Sequence, residues 1–132
     1  MKNTTLIFSV IIILFLEACN PFNSSEAKQG FVQISQIQIQ QLVMHIEFYK
    51  LQNGHYPDRL EQLREGDNLA PVNDPAQGMQ ATEPSFYNYE RIGEKYSLFS
   101  SAMDGIPGTK DDFYPQIEIP DSSKIGLIIK RN

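Results

Sequence analysis

The stretch that decides the fold is Tyr96-Ser-Leu-Phe-Ser-Ser-Ala-Met-Asp-Gly-Ile-Pro-Gly-Thr-Lys-Asp-Asp-Phe-Tyr114. It begins as an alternating strand and continues as a loop with three carboxylates, Asp104, Asp111 and Asp112. Two glycines and a proline bend the backbone between them. Because like charges so close together repel one another, the loop favours a bound cation. The alternative is a solvated hairpin loop whose acids face water.

Calcium is the cation that best suits this loop. Ca²⁺ accepts about six to eight oxygen ligands at flexible angles, and it combines carboxylates with backbone carbonyls. The loop is not an EF-hand, because it lacks the alternating acids and the closing glutamate of that motif. The residues alone therefore permit an irregular calcium site with a structural role, and they leave the solvated hairpin loop open as the alternative.

The same stretch resembles the calcium loop of the major pseudopilin of the type II secretion system. Upstream, Tyr49-Lys-Leu-Gln-Asn-Gly-His-Tyr-Pro57 is similar to the end of the long helix and the turn in that family. The two motifs occur in the family's order and together span residues 39–113. The resemblance implies a C-terminal pseudopilin domain that binds Ca²⁺. The implied ligands are the side chains of Asp104, Asp111 and Asp112 and the backbone carbonyls around Phe99 and Ser101.

Composition narrows the classes of function. The chain has 132 residues and a formal net charge of -5, which suits one small domain and excludes a basic nucleic-acid interface. It lacks a Gly-x-Ser-x-Gly elbow, a His-Glu-x-x-His motif and a glycine-rich phosphate loop, and it has one cysteine. We therefore predict a protein that is not an enzyme and has no small-molecule substrate.

The N-terminus has the pattern of a lipoprotein signal peptide, predicted over residues 1–18. Its apolar run from Leu6 to Leu16 is too short to cross a bilayer. Leu-Glu-Ala-Cys19 resembles a bacterial lipobox, although Glu17 departs from the usual uncharged residue. Cys19 is the predicted lipidation site, residues 19–27 form a tether, and residues 28–132 form the pseudopilin-like domain. Lipid at Cys19 would anchor the protein to the cell envelope of a diderm bacterium, facing the periplasm.

This N-terminus differs from that of a pseudopilin, which begins with a glycine cleavage site followed by a glutamate. No glycine precedes Gly30 here. Three interpretations follow: an envelope lipoprotein that contacts other secretion proteins, a stand-alone lipoprotein that serves as a binding module, or an atypical minor pseudopilin. The last predicts an apolar helix face that stays bare and a Cys19 that is not lipidated, whereas the stand-alone module predicts an exposed patch on the proline-rich loop and no filament.

The fold class is α+β, with a long N-terminal helix packed on an antiparallel sheet of three to four strands. The helix is predicted to begin after Asn23 and to end at Gln52, and it has two apolar faces. We expect the first face to pack on the sheet and the protein's own long loop to cover the second. The alternative for the second face is docking on a partner helix, as the resemblance to pseudopilins implies. The first face is Ile39, Leu42, Val43, Ile46 and Tyr49, and the second is Ile37, Met44, Phe48 and Leu51.

The rest of the chain is predicted as short elements. A helix over 58–65, capped by Asp58, is followed by a loop over 66–85. In that loop, Asp74-Pro75 resembles the family's Asp-Pro-Trp-Gly turn, although the chain has no tryptophan. Strands over 86–92 and 95–100 form a hairpin, and strands over 116–119 and 125–130 form a second hairpin.

Overall fold

The computed structural model describes residues 25–66, 69–80, 83–118, 120 and 123–130. The predicted signal peptide over 1–18, Cys19 and the first residues of the tether lie outside this part of the chain. Among the described helices, none has the length and hydropathy needed to cross a membrane.

One long helix, α1, runs from Ser25 to Asn53. Its buried residues are Ser35, Ile39, Leu42, Val43 and Ile46, so the first predicted face forms one side of the core. The helix ends at Gly54, which has a φ of 80° and whose amide donates to the carbonyl of Lys50. A glycine tolerates this left-handed conformation, which explains why the predicted C-terminus is correct to within one residue.

A short helical segment follows the turn after α1. It consists of a 3₁₀ helix over Leu60–Gln62 and a single α-helical turn, α2, over Leu63–Gly66. Leu60 and Leu63 are buried, as predicted. Asp58 is not the cap, because the side-chain oxygen of Gln62 accepts from the amides of Asp58 and Arg59 instead.

The sheet is the antiparallel hairpin of β1 (Asn88–Ile92) and β2 (Lys95–Phe99). In the register, Asn88 lies opposite Phe99 and Ile92 lies opposite Lys95. The turn between the strands contains Gly93, whose φ is 61°. The first predicted hairpin is therefore confirmed, and the long helix with its small antiparallel sheet confirms the α+β fold class.

The second predicted hairpin does not form in the described residues, and the sheet there has two strands instead of three to four. The C-terminal segment, which we define as residues 116–130, instead runs parallel to β2 around Leu127. The amide of Tyr96 donates to the carbonyl of Gly126 (2.9 Å), and the amide of Ile128 donates to the carbonyl of Tyr96 (2.8 Å). This arrangement buries Leu127 in the core, which an exposed hairpin would not do.

The long loop packs on the N-terminal half of α1. Its 3₁₀ helix over Pro75–Gln80 contacts α1, and Val72, Asp74 and Ala76 are buried. The expectation that this loop covers the second apolar face of α1 is wrong. The loop is held near Ser35 by buried hydrogen bonds, so it lies away from the C-terminal half of α1 where that face is located.

Candidate functional site

The three predicted carboxylates lie in a loop that leaves β2 and returns to the same point. We call residues 101–112 the acidic loop. Its two ends meet where the amide of Ser100 donates to the carbonyl of Phe113 (2.9 Å) and the amide of Phe113 donates back (3.2 Å). Inside the loop, Gly105 and Gly108 have φ values of 67° and 89°. The two glycines therefore permit turns that other residues would strain.

Hydrogen bonds within the acidic loop orient the carboxylates. The amide of Ile106 donates to Asp104 Oδ1 (2.8 Å), and the amide of Gly108 donates to Asp112 Oδ2 (2.7 Å). The hydroxyl of Thr109 donates to Asp111 Oδ1 at 2.6 Å. Each carboxylate therefore has a fixed direction before any cation binds.

Asp111 and Asp112 converge on Thr109, whose hydroxyl oxygen lies 2.6 Å and 3.4 Å from their Oδ1 atoms. The hydrogen bond from Thr109 is the main cause that lowers the pKa of Asp111, and hydrogen bonds from backbone amides of the acidic loop act in the same direction. The acidic loop therefore brings Asp111 and Asp112 together at Thr109, whereas Asp104 accepts from the amide of Ile106. Asp111 is ionised at neutral pH because its charged form is the one these donors favour.

The donor chemistry of the acidic loop fits a hard cation, because carboxylate, hydroxyl and carbonyl oxygens are available there. Across the described residues, however, no three His, Cys, Asp or Glu side chains are arranged as a metal site. Ser101 is buried, and its carbonyl accepts from the amide of Gly105 (3.2 Å). Phe99 is the last residue of β2, with its ring 5.5 Å from that of Tyr114. Calcium binding therefore stays a prediction.

The base of the acidic loop is tied to a buried carboxylate, Asp74, which is 3% exposed. Asp74 Oδ2 accepts from the hydroxyl of Ser100, and Asp74 Oδ1 accepts from the hydroxyl of Ser35, both at 2.6 Å. The amide of Ala76 also donates to Oδ1 (2.9 Å), and the amide of Ala102 donates to Ser100 Oγ (2.9 Å). Asp74 thus connects α1, the long loop and the acidic loop.

Sequence reasoning missed this connection. The sequence motifs indicate Asp74 only as part of a turn, and they predict no role for Ser35. The available signal was a small polar residue on the apolar face of α1, one turn before Ile39. A buried hydroxyl needs a partner, so Ser35 predicts a polar group from another element.

The second apolar face of α1 is exposed, and we call it the exposed face. It forms one wall of an open groove of about 950 Å³, whose opposite wall includes Ile117 and Ile125 of the C-terminal segment. An apolar surface of this kind marks contact with a protein or a membrane. The exposed fractions are 60% for Ile37, 72% for Met44, 58% for Phe48 and 82% for Leu51.

Comparison with models of known protein families gives a match over most of the chain. The family model for type II secretion system protein G matches residues 23–115, which contain α1, the sheet and the acidic loop. The match ends before the C-terminal segment that forms the second wall of the groove. No curated protein and no solved structure matches the chain.

Proposed function

We propose that this chain, which belongs to the type II secretion system protein G family, is a structural subunit of a type II secretion apparatus. This family is structural and works in the cell envelope. The protein acts by binding other proteins, and the exposed face of α1 is its contact surface. It catalyses no reaction, binds no nucleic acid and takes no small-molecule substrate.

The observation that carries this proposal is the exposed face. The opposite side of α1 already supplies the core, because Ile39, Leu42 and Ile46 are at most 1% exposed. The exposed face contributes little to the core of the isolated domain, because its four side chains are 58–82% exposed, and leaving it in water makes the protein prone to association. An exposed apolar face along α1 has a purpose when another protein covers it.

The position of the exposed surface also separates the alternatives. A stand-alone binding module predicts the patch on the proline-rich loop. In the part of that loop that the structure describes, Leu69 is exposed but Val72, Asp74 and Ala76 are buried, so the larger apolar surface lies on α1. A bare helix face is what the atypical minor pseudopilin predicts. This comparison favours a subunit of an assembly over the stand-alone module.

Lipid at Cys19 is the anchor that we propose for this subunit. Helix α1 begins at Ser25, six positions after Cys19, so a lipidated Cys19 would hold the domain close to the membrane on its periplasmic side. Labelling cells with a fatty-acid analogue tests this step. A labelled parent beside an unlabelled Cys19→Ala variant supports the lipid anchor, and an unlabelled parent rejects it.

Calcium is the cation that we propose for the acidic loop. Asp104, Asp111 and Asp112 would bind it with the backbone carbonyls of Phe99 and Ser101. When bound, Ca²⁺ neutralises the repulsion among the three carboxylates. The chain's own contribution is to preset the carboxylates through Thr109 and the loop amides, as described above.

The experiment that tests the function is deletion of the gene in the native host, followed by measurement of the secreted fraction of a type II substrate. We expect secretion to fall and the full-length parent to restore it. A Phe48→Asp variant, altered on the exposed face, should be present at normal level without restoring secretion. Gln36→Asp is the matched control, because Gln36 is exposed on α1 outside the groove. Normal secretion in the deletion strain would reject the proposed function.

A further inference from the structure

The exposed face belongs to a longer pattern along α1. Two further exposed residues, Ile34 and Gln41, continue it at helical spacing. The steps between successive positions alternate between three and four residues, which is the repeat of the a and d positions of a coiled coil. We call these six residues the seam: Ile34, Ile37, Gln41, Met44, Phe48 and Leu51.

The seam predicts the geometry of the partner. A repeat of three and four residues packs against another helix at a shallow, left-handed crossing. At about 1.5 Å per residue the seam is about 26 Å long, which is enough for more than two heptads but short for an independent coiled coil. The partner is therefore a helix that is held near α1 by something besides the seam.

The residues beside the seam favour a second copy of the same chain. The chain carries a net charge of -5, so self-association requires a contact that brings few like charges together. Four of the six flanking positions are glutamine. Glu47 is the one acid among them, and its carboxylate already accepts from the hydroxyl of Tyr56 and the amide of Gly126. The flanking residues are Gln33, Gln38, Gln40, His45, Glu47 and Gln52.

Gln41 sets the direction of pairing. It lies in the middle of the seam, where pairing would bury its amide, and a buried amide needs a hydrogen-bonding partner. In a parallel pair in register, each Gln41 faces the other and the two amides satisfy each other. In an antiparallel pair, Gln41 faces Met44 and stays unsatisfied. A single polar residue at such a position is a known determinant of register.

We propose that two copies of this chain pair through the seam as a parallel, in-register two-helix coiled coil, with Gln41 facing Gln41. The proposal rests on the exposed face that the proposed function uses, and it names the partner. Each copy presents the same surface, so the pair is closed and does not extend into a filament. Ile117 and Ile125 widen the apolar surface beside the seam, and they lie beyond the segment that the family model matches.

Membrane attachment compensates for the low pairing affinity that is expected of so short a seam. Parallel pairing places both N-termini at the same end, so two lipid-anchored copies can pair on one membrane. Anchoring raises their effective concentration and permits a weak contact to form. The parallel pairing that Gln41 favours is therefore also the pairing that two lipid-anchored copies on one membrane can form.

The test uses two full-length copies with different tags, expressed together in the native host. One copy carries Gln41→Glu or Gln41→Lys, and the other carries the same or the opposite change. We expect like-charged pairs to lower co-isolation about tenfold and the Glu with Lys pair to restore it, since facing charges select partners. The same changes at Gln36 should have no such selectivity. A mixed pair at position 41 that is no better than like-charged pairs would overturn the proposal.

A photoreactive phenylalanine analogue at position 48 of the full-length chain identifies the partner directly. We expect an adduct of two copies of this chain, and none from the same analogue at position 36. An adduct with a different protein overturns self-pairing but leaves the proposed function standing. Conversely, a normal dimer in a strain whose secretion does not need the gene rejects the proposed function alone.

Discussion

The hydroxyl of Ser100 donates a 2.6 Å hydrogen bond to Asp74, and both residues are buried. This contact joins the base of the acidic loop to the long loop before the sheet. Because Asp74 also accepts from Ser35 of α1, one carboxylate holds three separate parts of the chain together. The conformation of the acidic loop therefore depends on a residue that lies outside it.

Replacing Asp74 should destabilise the protein more than replacing an exposed aspartate. Asp74→Ala leaves two buried hydroxyls and one amide without their acceptor, and we expect a loss of about 3 kcal/mol in the free energy of unfolding. Asp58→Ala is the matched control, since its ion pair with Arg91 is at the surface and contributes at most about 1 kcal/mol. Urea unfolding of the chain from Asn20 onward measures both. Equal losses would show that the Asp74 contacts do not stabilise the fold.

Two buried tyrosines should respond differently to loss of the hydroxyl. The hydroxyl of Tyr87 donates to the carbonyl of Ser35 (3.0 Å), whereas that of Tyr96 is the one buried side-chain polar atom of the described residues without a hydrogen bond. Tyr87→Phe should cost about 1 kcal/mol, and Tyr96→Phe should be neutral or stabilising by up to about 1 kcal/mol. Thermal unfolding of the two variants beside the parent decides the matter. A larger loss at position 96 would contradict the described contacts.

The free energy of unfolding should fall at alkaline pH. Burial is the main cause that raises the pKa of Tyr56, Tyr87, Tyr89 and Tyr96. Below the ordinary pKa of about 10, tyrosine is neutral in both states and the stabilisation is complete. Above it, the unfolded chain loses protons that the folded chain keeps, so each buried tyrosine lowers the free energy of unfolding by up to about 1.4 kcal/mol per pH unit. The loss continues until the raised pKa of the folded state is reached.

Urea unfolding at a series of pH values measures this slope. Tyr96→Phe should make the slope shallower, because it removes one buried ionisable group while leaving the packing of its ring. The absorbance of tyrosinate should rise together with unfolding. A stability that does not change from pH 9 to about 11 would contradict the burial of these rings.

Gly126 should not tolerate a side chain. A Cβ atom at this position would lie 2.6 Å from Cε2 of Tyr56, which itself is 1% exposed and cannot move away. We expect Gly126→Ala to lower the free energy of unfolding by about 1–3 kcal/mol, because the C-terminal segment must leave β2. Gly30→Ala is the control: nothing lies within 4 Å of its Cβ, and α1 should gain up to about 1 kcal/mol. Denaturation of both variants tests the parallel docking of the C-terminal segment.

Local sequence signals predicted the elements but not what each surface contacts. The two apolar faces of α1, the end of α1 near residue 52 and the first hairpin depend on neighbours in the chain, and these predictions were correct. The prediction of a second hairpin was wrong because Leu127 packs against residues that are distant in the chain, so the partner of this segment could not be predicted from its neighbours in the sequence. The prediction that the long loop covers the second face of α1 was wrong because the hydrogen bonds of Asp74 to Ser35 and Ser100 determine where the long loop lies.

Calcium should raise the stability of the parent and not that of acidic-loop variants. If Ca²⁺ binds the folded chain alone, a concentration of one hundred times its dissociation constant adds about 2.7 kcal/mol, a shift of several degrees in the unfolding midpoint. Asp104→Asn and Asp112→Asn should each lose most of that shift, while Asp58→Asn, altered at a surface ion pair, should keep it. Thermal unfolding in excess calcium and in chelator provides the measurement. Coincident curves for the parent would mean that the carboxylates face water and that Thr109, the loop amides and the contact of Ser100 with Asp74 maintain the acidic loop without a cation.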